Sequence, residues 1–335
     1  MLNIHNIEYY LPENIITNDE LARLNPDWDM DSIQNWTGVS KRFYAKSNQT
    51  ALDLAFISSE KLLEDIEVSR DQIDGLIFCT QSNDHIMPPN STILHGLLKL
   101  SEDVFSFDFN LACSGFIYGL FIANGLIETN VAKNILLINA DTYSKYVNDK
   151  DRSTKVLFGD AASTSILRKS TNRKGLIDII CSTSGINFDK IIVPAGGTRK
   201  PKSNKTNILK KDQNGNLRSD ENLQMNGLAV YSFVNTKVPK QINKLLWRNK
   251  INIDEIDLFV FHQANKLVLE SLTKILKIDT KKVFINIDKV SNTVSASIPI
   301  ALKDAQEEGK IKDGYKVLCS GFGAGLSWGT CILQF

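Results

Sequence analysis

The stretch FDFNLACSGFIYGL, residues 107–120, joins an apolar, strand-like segment to a glycine-bearing helical segment through a single cysteine. The apolar pattern predicts a strand over residues 104–110 and a helix from residue 114 onward. Cys113 then lies at or near the helix N-terminus, where free N–H groups and the helix dipole favour negative charge. We expect a lowered thiol pKa and a nucleophilic cysteine. The alternative for this stretch alone is a small core residue at the end of a strand.

The composition excludes several classes of protein. The chain has 335 residues, of which 42% are hydrophobic and 23% are charged, with a formal net charge of +1. This balance suits one large or two fused globular domains, whereas a dedicated nucleic-acid binder would be strongly basic. The longest apolar run, about residues 115–127, is too short to span a bilayer, and no signal peptide is visible. We expect a cytoplasmic protein without membrane insertion or a nucleic-acid partner.

The cysteines do not suggest a metal centre or a disulfide framework. Their number is odd, none of the five forms a CxxC pair, and the chain has only four histidines. In a reducing compartment the default state of each is a buried free thiol. We therefore predict no metal site, and Cys113 is the position where the local sequence argues for more than packing.

Strand-like and helical segments alternate along most of the chain, which predicts a layered α/β fold. Helical periodicity is clear in residues 48–66, 115–130 and 266–276. Similar strand–loop–helix patterns recur in both parts of the chain, so we predict two similar halves, residues 1–170 and 171–335. The predicted strands cover residues 75–79, 104–110, 134–139, 163–167, 177–181, 258–261, 283–287, 317–320 and 329–333.

One segment breaks this alternation. Residues 198–224, TRKPKSNKTNILKKDQNGNLRSDENLQ, are polar and rich in lysine, with no helical or strand period. We predict a long loop in the second half of the chain. Loops of this length are often functional, so the segment is either a solvated insertion or a lid or docking surface for a carrier protein.

A cysteine nucleophile needs partner groups. His262 ends the apolar strand in FVFHQANK, and open α/β sheets place their sites at the carboxyl ends of strands. Asn292 lies just before a helix, where a cap or turn role is the alternative. The glycine-rich segment CSGFGAGLSWG, residues 319–329, can point backbone N–H groups at one spot, as an oxyanion hole requires; its alternative is a hairpin turn. The other histidines, His5, His85 and His95, are weaker candidates.

Taken together, these segments resemble the β-ketoacyl-acyl-carrier-protein synthase III family, condensing enzymes of the thiolase superfamily. The resemblance runs essentially from end to end. The motifs that carry it are YLPENIITNDEL, TGVSKR, NLACSGF, DRSTKVLFGDAAS, VPAGGTRKP, MNGLAVYSF, HQAN, SNTVSASIPIAL and GFGAGLSWG. It implies the five-layered thiolase-like αβαβα fold built from two similar halves, and a homodimer.

The resemblance also implies a mechanism. Cys113 is the acyl acceptor of a Cys-His-Asn triad completed by His262 and Asn292, and the backbone N–H groups of Cys113 and Ala324 form the oxyanion hole. Acyl-CoA loads the cysteine, and malonyl-acyl carrier protein then undergoes decarboxylative condensation, which initiates fatty-acid or related acyl-chain synthesis. No permanently bound cofactor is needed. Asn at position 292 supplies a second N–H donor for the enolate, whereas an ionised Asp would repel it.

Further positions take substrate roles by the same resemblance. Met87 and Leu326 belong to the acyl pocket, Met87 by reaching across the dimer. Lys266 is a candidate contact for the acyl carrier protein. Trp36 stands where the family usually has arginine. The residues expected to contact CoA are Trp28, Arg152, Asn226 and Asn265.

Three alternatives remain open at this point. A related enzyme could transfer the acyl group from Cys113 to an amine or a hydroxyl, in secondary metabolism or surface-sugar modification. A non-catalytic carrier-binding module could share the fold. A thiolase proper would need a second cysteine as base, for which Cys319 is the nearest candidate, although it reads as a core thiol in a strand.

Overall fold

The computed structural model describes residues 1–65, 68–170 and 174–335. Its strands are β1 (Leu2–Tyr10), β2 (Asn14–Thr17), β3 (Lys41–Tyr44), β4 (Gly75–Cys79), β5 (Phe105–Phe109), β6 (Asn134–Asp141), β7 (Ala161–Lys169), β8 (Gly175–Thr183), β9 (Ile191–Ile192), β10 (Lys210–Lys211), β11 (Leu217–Arg218), β12 (Gln224–Met225), β13 (Leu258–Phe261), β14 (Lys316–Gly323) and β15 (Ser327–Gln334). Its α-helices are α1 (Asn18–Leu24), α2 (Met30–Thr37), α3 (Ala51–Asp65), α4 (Asn90–Leu97), α5 (Gly115–Glu128), α6 (Arg152–Lys155), α7 (Gly227–Asn249), α8 (Lys266–Leu276), α9 (Ile287–Val290) and α10 (Ser297–Glu307).

The first sheet has five strands in the order β1–β7–β6–β4–β5. β4 runs parallel to β5 and β6, whereas β7 is antiparallel to both β1 and β6. β4 is buried throughout, but every residue of β5 is only half-buried because this strand forms the sheet edge. The carboxyl end of β5 leads directly to the segment that carries Cys113.

The second sheet has four strands in the order β13–β14–β15–β8. β13 and β14 are parallel, and the other pairs are antiparallel. His262 follows the last residue of β13 and donates its backbone N–H to Ser320 O of β14 at 2.9 Å. The sheet ladder therefore continues as far as the histidine and holds its backbone in place.

Helices cover both faces of both sheets, which gives five layers. α3 and α4 pack on the outer face of the first sheet, and α7 and α8 pack on the outer face of the second. α5 and α10 lie between the sheets and contact strands of both. The predicted layered α/β fold is confirmed, with the order helix, sheet, helix, sheet, helix.

The central helix α5 is apolar around its circumference because both sheets cover it. Its Phe116, Leu120 and Ile127 are fully buried. It approaches the first sheet closely at Gly119, where an added Cβ would lie 2.5 Å from Leu137 Cδ1. The packing of both sheets against α5 fixes the position of its N-terminus, next to Cys113.

The strand predicted for residues 283–287 is wrong. Val283 makes one isolated bridge to β13, and the chain then turns into the short helix α9. The Gln263 side chain replaces the missing ladder: its Nε2 donates to Phe284 O at 3.3 Å, and its Oε1 accepts from Asn286 N at 3.1 Å. Because the Gln263 side chain binds these backbone groups, they are not available to pair with a neighbouring strand, and no longer strand forms.

The segment 198–224 contains more structure than the predicted long loop. β10 pairs with β11, and β12 pairs with β9. The guanidinium of Arg218 contacts Asp212 Oδ2 at 2.6 Å and Asp151 Oδ2 at 3.2 Å, which ties this hairpin to the N-cap of α6. Across residues 1–65, 68–170 and 174–335, no helix combines the length and the apolar character that a membrane crossing requires.

Candidate active site

A cavity of about 860 Å³ is lined by residues from both halves of the chain. Its inner end is formed by Cys113, His262 and Asn292, together with Phe322 and Gly323. The cysteine is 8% exposed, the histidine 1% and the asparagine 4%, so the three polar groups meet in a place that is largely closed to water. The volume lies within the range of small-molecule sites. The structure thus brings the three predicted reactive residues to one point.

Cys113 lies two residues before the first residue of α5, after a turn in which Gly115 N donates to Ala112 O at 2.7 Å. The expected lowering of its thiol pKa is wrong for this state of the protein. Burial raises the pKa of Cys113 to about 12, and the nearby carboxyl group of Asp141 adds to the rise. Desolvation of the thiolate therefore outweighs the favourable helix terminus.

Asp141, at the end of β6, was not identified from the sequence as part of this region. It is fully buried, and burial raises the pKa of its carboxyl group to about 7. Its Oδ2 accepts from Ser295 Oγ at 2.6 Å, and its Oδ1 accepts from Gln81 N at 2.8 Å. A lone aspartate at a strand end carries no signal in one sequence; only the packing of β6 under α5 places it near Cys113.

The glycine-rich turn lies directly against the cysteine. A Cβ added to Gly323 would lie 2.8 Å from Cys113 Cβ and 2.9 Å from its Sγ, so only glycine fits there. Ser327 Oγ donates to Ala324 O at 2.7 Å and accepts from Ser114 Oγ at 2.7 Å. These two hydroxyl groups connect the start of α5 to the peptide group of Ala324.

Two backbone N–H groups near the thiol have no oxygen partner. Within the ranges that the structure describes, neither Cys113 N–H nor Ala324 N–H donates to an oxygen acceptor, and the Cys113 N–H contacts only its own sulfur. Buried N–H groups are nearly always paired, so two donors without an oxygen partner beside a nucleophile can bind an oxyanion. The arrangement agrees with the oxyanion hole expected from the sequence, which remains a prediction.

His262 is held by the start of α10. Ser297 Oγ accepts from Gln263 N at 2.8 Å and lies 3.1 Å from His262 Nδ1. Because Ser297 Oγ already accepts from Gln263 N, its own hydroxyl hydrogen can point at Nδ1 of the histidine. This geometry favours the neutral tautomer of His262 that carries its hydrogen on Nε2. Burial lowers the pKa of His262 to about 3. The edge contact with Phe322, with ring centroids 5.6 Å apart, further fixes the ring.

Asn292 is both a turn residue and a cavity residue. Its Oδ1 accepts from Val294 N at 3.0 Å, and its Nδ2 donates to Ala264 O at 3.4 Å. Its backbone N–H donates to Leu157 O at 3.0 Å, which ties it to the first half of the chain. Because Oδ1 is occupied, the amide presents N–H rather than oxygen to the cavity. The turn role considered from the sequence therefore also orients the side chain.

Two predicted substrate contacts line the same cavity. Asn226 caps α7 by accepting from Ala229 N at 3.0 Å, and Asn265 caps α8 by accepting from Val268 N at 2.8 Å. In both residues the cap uses Oδ1 and leaves the Nδ2 donors available. Helix capping and substrate contact are therefore compatible at these positions.

Other predicted contacts lie elsewhere. Trp28 packs into a core cluster and does not line the cavity. Leu326 is 1% exposed, packs toward α7 and α8 and does not line the cavity. Met87 is 79% exposed on the loop before α4, and Arg152 is exposed next to the cavity rim. Lys266 is exposed at the first turn of α8 and lies 3.9 Å from Glu270.

The aromatic residue at the cavity mouth is Trp36, not Trp28. Trp36 is 39% exposed, and Leu228 and Leu267 flank the same opening at 85% and 47% exposure. The opposite rim is polar and comes from the hairpin of β10 and β11, including Arg218. Trp36, where the sequence departs from the family pattern, therefore lies at the entrance.

The five layers and the Cys, His and Asn side chains at one cavity end define the class of thiolase-like enzymes. Residues 107–185 match the family 3-oxoacyl-[acyl-carrier-protein] synthase III, and residues 246–335 match its C-terminal family. The chain belongs to the 3-oxoacyl-[acyl-carrier-protein] synthase III family.

Individual relatives match over nearly the whole chain. A β-ketoacyl-[acyl-carrier-protein] synthase III of Rickettsia typhi is 37% identical over 97% of both chains. A crystal structure of a 3-oxoacyl-(acyl-carrier-protein) synthase III is 38% identical, with a TM-score of 0.98 over 100% of this chain and 99% of that one. The corresponding structure from Aquifex aeolicus is 31% identical, with a TM-score of 0.85 and full coverage of both chains. The expected thiolase-like fold is thereby confirmed.

Proposed function

We propose that this chain is a 3-oxoacyl-[acyl-carrier-protein] synthase that takes an acyl group from acyl-CoA and condenses it with malonyl-acyl carrier protein. The products are a β-ketoacyl carrier protein, CoA and CO2, and the reaction initiates fatty-acid or related acyl-chain synthesis. The observation that carries this proposal is the meeting of Cys113, His262 and Asn292 at the closed end of one cavity. No bound cofactor is required, since each step uses only these side chains and two backbone donors.

In the first half-reaction, Cys113 Sγ attacks the thioester carbonyl carbon of acyl-CoA. A new bond forms between Sγ and that carbon, the bond to the CoA sulfur breaks, and the cysteine proton ends on CoA. The N–H groups of Cys113 and Ala324 stabilise the tetrahedral oxyanion. Because burial raises the pKa of the thiol to about 12, the proton leaves during the attack rather than before it.

In the second half-reaction, malonyl-acyl carrier protein loses CO2 and its thioester becomes an enolate. His262 Nε2–H and Asn292 Nδ2–H donate to the enolate oxygen, and the enolate carbon attacks the acyl carbon on Cys113. The bond between that carbon and Cys113 Sγ then breaks, and the released thiolate takes up one proton from solvent, which restores the thiol. Neutral donors suit this role, because they stabilise the charge without first needing a proton. The low pKa of His262, about 3, keeps the imidazole neutral at physiological pH.

The same pKa argues against transfer of the acyl group to an amine or a hydroxyl. Such a transfer needs a general base, and efficient bases have pKa values near the operating pH. A buried histidine whose pKa is about 3 is a weak base at neutral pH. In decarboxylative condensation, loss of CO2 generates the carbanion, so no base is needed at this position.

For the CoA and pantetheine contacts, we propose that the Nδ2 groups of Asn226 and Asn265 bind the amide oxygens of the pantetheine arm. Trp36 at the cavity mouth is better placed than Trp28 to stack on the adenine, since Trp28 does not reach the cavity. Arg152 is adjacent to Ser153 of the rim, from which it can contact the nucleotide.

We also propose that the acyl carrier protein, an acidic partner, docks on Lys266 and on the exposed lysines of β10. The side chains of Lys266 and Lys210 are 46% and 67% exposed. Opposite charges at an interface rim raise the association rate more than they lower the dissociation rate. Charge reversal at both lysines should raise the KM for malonyl carrier protein at low salt, and an unchanged KM would refute this docking surface.

The proposed assembly is a homodimer joined at the edge strand β5. This strand leaves one row of backbone groups unpaired, and its Phe105, Phe107 and Phe109 are only half-buried. Exposed edge strands of this kind invite pairing with a second copy. Met87, at 79% exposure, lies on a loop near this edge and extends toward the second copy. Scattering-based mass determination of the purified protein tests the stoichiometry.

Two organisational proposals complete this function. The boundary between the halves falls between β7 and β8, at residues 170 and 171, because the first five-stranded sheet precedes it and the four-stranded sheet follows it.

A cytoplasmic setting is proposed because the five cysteines are free thiols, the state that a reducing compartment maintains.

Intact-protein mass spectrometry tests the proposed roles of the three reactive residues. Acetyl-CoA should add one acyl group to the wild-type protein and none to Cys113→Ala. His262→Ala and Asn292→Ala should still accept the acyl group but fail to discharge it to malonyl carrier protein. Acylation that persists in Cys113→Ala would place the nucleophile elsewhere, and normal discharge in both other variants would refute their role.

A further inference from the structure

The turn that carries Asn292 has an unusual backbone. In the described part of the chain, six non-glycine residues have a positive φ, and four of them follow the ends of helices, where this conformation is common: Lys99, Asn130, Lys250 and Lys277. The other two lie on either side of Asn292. Ser291 has φ 64° and ψ −167°, a region that hardly any residue except glycine adopts, and Val294 is a β-branched residue with φ 54°. Such conformations persist only where surrounding contacts hold them.

The first half of the chain holds the start of this turn. Asn292 N donates to Leu157 O at 3.0 Å, and Asn292 O accepts from Gly159 N at 3.0 Å. A Cβ added to Gly159 would lie 2.3 Å from Ser291 Oγ, so the two segments are in close contact. These contacts fix the backbone at Ser291 and Asn292.

Asp141 holds the other end of the turn. Ser295 follows Val294 directly, its Oγ donates to Asp141 Oδ2 at 2.6 Å, and its backbone N–H contacts the same carboxyl group. The other carboxyl oxygen, Oδ1, accepts from Gln81 N at 2.8 Å. Asp141 and Ser295 are 0% and 1% exposed, so water does not compete for these bonds. The carboxyl group therefore fastens the residue after Val294 to the end of β6.

The shape of the turn determines where the Asn292 amide points. Val294 N donates to Asn292 Oδ1 at 3.0 Å, so the Nδ2 group faces the cavity. If Val294 relaxed to an ordinary negative φ, its N–H would change direction, and the amide would lose one of the bonds that orient it. Because Ser295 is the next residue, its bond to Asp141 opposes this relaxation.

We propose that Asp141 is a positioning residue for the condensation step, because it holds, through Ser295, the strained turn that aims Asn292 Nδ2 at the enolate oxygen. The proposal rests on the function proposed above. The carboxylate does not assist acylation of Cys113, since its negative charge opposes formation of the thiolate. Loss of the carboxylate should therefore slow only the second half-reaction, whereas general damage to the fold would slow both.

The test compares Asp141→Asn and Ser295→Ala with the wild-type protein and measures the two half-reactions separately. Acylation by acetyl-CoA is followed by intact-protein mass spectrometry, and condensation is followed by CO2 release when saturating malonyl-acyl carrier protein is added to the acetyl-enzyme. Asparagine has nearly the volume of aspartate, but its NH2 group must face one of the N–H or O–H donors. We expect condensation to slow by about tenfold in Asp141→Asn and by about threefold in Ser295→Ala, and neither variant should acylate more slowly than the wild-type protein.

The double variant tests whether the two residues act through one contact. Because Ser295 Oγ acts on the turn only through the carboxyl group, the double variant should condense at the rate of Asp141→Asn alone. Independent effects would instead multiply to a loss of about 30-fold.

Asp160→Asn is the matched control. Asp160 is also fully buried, and its carboxyl group also accepts from the N–H and the Oγ of one serine, Ser144, at 2.9 and 2.5 Å, and from a second backbone N–H, that of Ala45, at 2.8 Å. Neither Ser144 nor Ala45 lines the cavity. This variant should condense at the wild-type rate.

Four results would overturn the inference and leave the proposed function intact: equal slowing of both half-reactions, multiplied losses in the double variant, wild-type condensation by Ser295→Ala, or a loss in Asp160→Asn equal to that in Asp141→Asn. If Asp141→Asn did not fold, Ser295→Ala would decide, since slower condensation with unchanged acylation supports the inference and unchanged condensation overturns it. If the wild-type protein released no CO2 from malonyl-acyl carrier protein, the proposed function would fail and the inference with it.

Discussion

The contact between the glycine-rich turn and the nucleophile makes Gly323→Ala a sharp test of the site. A methyl group at this position would lie 2.8 Å from Cys113 Cβ and 2.9 Å from Sγ, whereas ordinary contacts of a Cβ begin at 3.4 Å. The difference, 3.4 minus 2.8 or 2.9, requires a displacement of 0.5–0.6 Å. The nearest atoms are Cβ and Sγ of Cys113 and, at 3.8 Å, its backbone N, and none of them is the flexible end of a long side chain.

The displacement separates the thiol from the Ala324 N–H that is proposed to bind the oxyanion. Because misplacement by an ångström can cost about 100-fold in rate, we expect acylation by acetyl-CoA to slow by about 10- to 100-fold. Overpacking of this kind costs about 1–3 kcal/mol in stability, so the protein should remain folded. The rates are measured by quenched-flow mass spectrometry, and the melting temperature is measured in parallel.

Gly125→Ala is the matched control. Gly125 lies on α5, and an added Cβ there meets nothing within 4 Å. Alanine in a helix is more stable than glycine by about 0.5–1 kcal/mol, so this variant should melt slightly higher and acylate at the wild-type rate. If Gly323→Ala acylated within twofold of the wild-type rate while remaining folded, the proposed arrangement of thiol and turn would be refuted.

Three further predictions follow from other contacts of the site. Ser297→Ala removes the partner of His262 Nδ1, so condensation should slow by about tenfold while acylation stays within twofold of the wild-type rate. Separate assays of the two half-reactions check this, and equal slowing of both would contradict it. Asp141→Asn removes a group whose folded pKa, about 7, lies above its ordinary value of 3.8, so the wild-type protein loses stability as the pH rises between these values. Urea unfolding should therefore show that the variant becomes more stable relative to the wild-type protein between pH 4 and pH 8. The Cys113 thiol of the variant should also react faster with iodoacetamide. A stability difference between the two proteins that does not change with pH would count against the argument. Gly119→Ala should destabilise the protein by about 1–3 kcal/mol, because its Cβ would meet β6 at 2.5 Å, and a melting temperature equal to that of the wild-type protein would contradict the close packing of α5.

The sequence is informative where a local pattern and a physical requirement coincide. The alternation in β5, the turn at Cys113 and the apolar periodicity of α5 are all readable from residues 104–128, and the structure has each of them. The position of His262 is predictable for the same reason, since a polar residue that follows a buried parallel strand lies at the carboxyl ends of the strands, where such sheets place their sites.

Features that depend on packing were beyond the sequence. The thiol pKa of Cys113 depends on how completely two sheets bury it, and no local pattern reports that. Residues 283–287 have the composition of a strand, but the Gln263 side chain takes their hydrogen bonds. Trp36 lines the cavity and Trp28 packs in a core cluster, and this difference depends on tertiary packing that the sequence does not reveal.

The central claim is that the acyl group on Cys113 is consumed by a decarboxylating condensation. The most direct test loads the protein with one acetyl group, removes free acetyl-CoA, and adds malonyl-acyl carrier protein labelled in the carboxyl carbon that is lost. We predict one labelled CO2 released for each acetyl group that leaves Cys113, together with one acetoacetyl carrier protein. Discharge of the acetyl group to water, an amine or a hydroxyl, without matching CO2, would contradict the account.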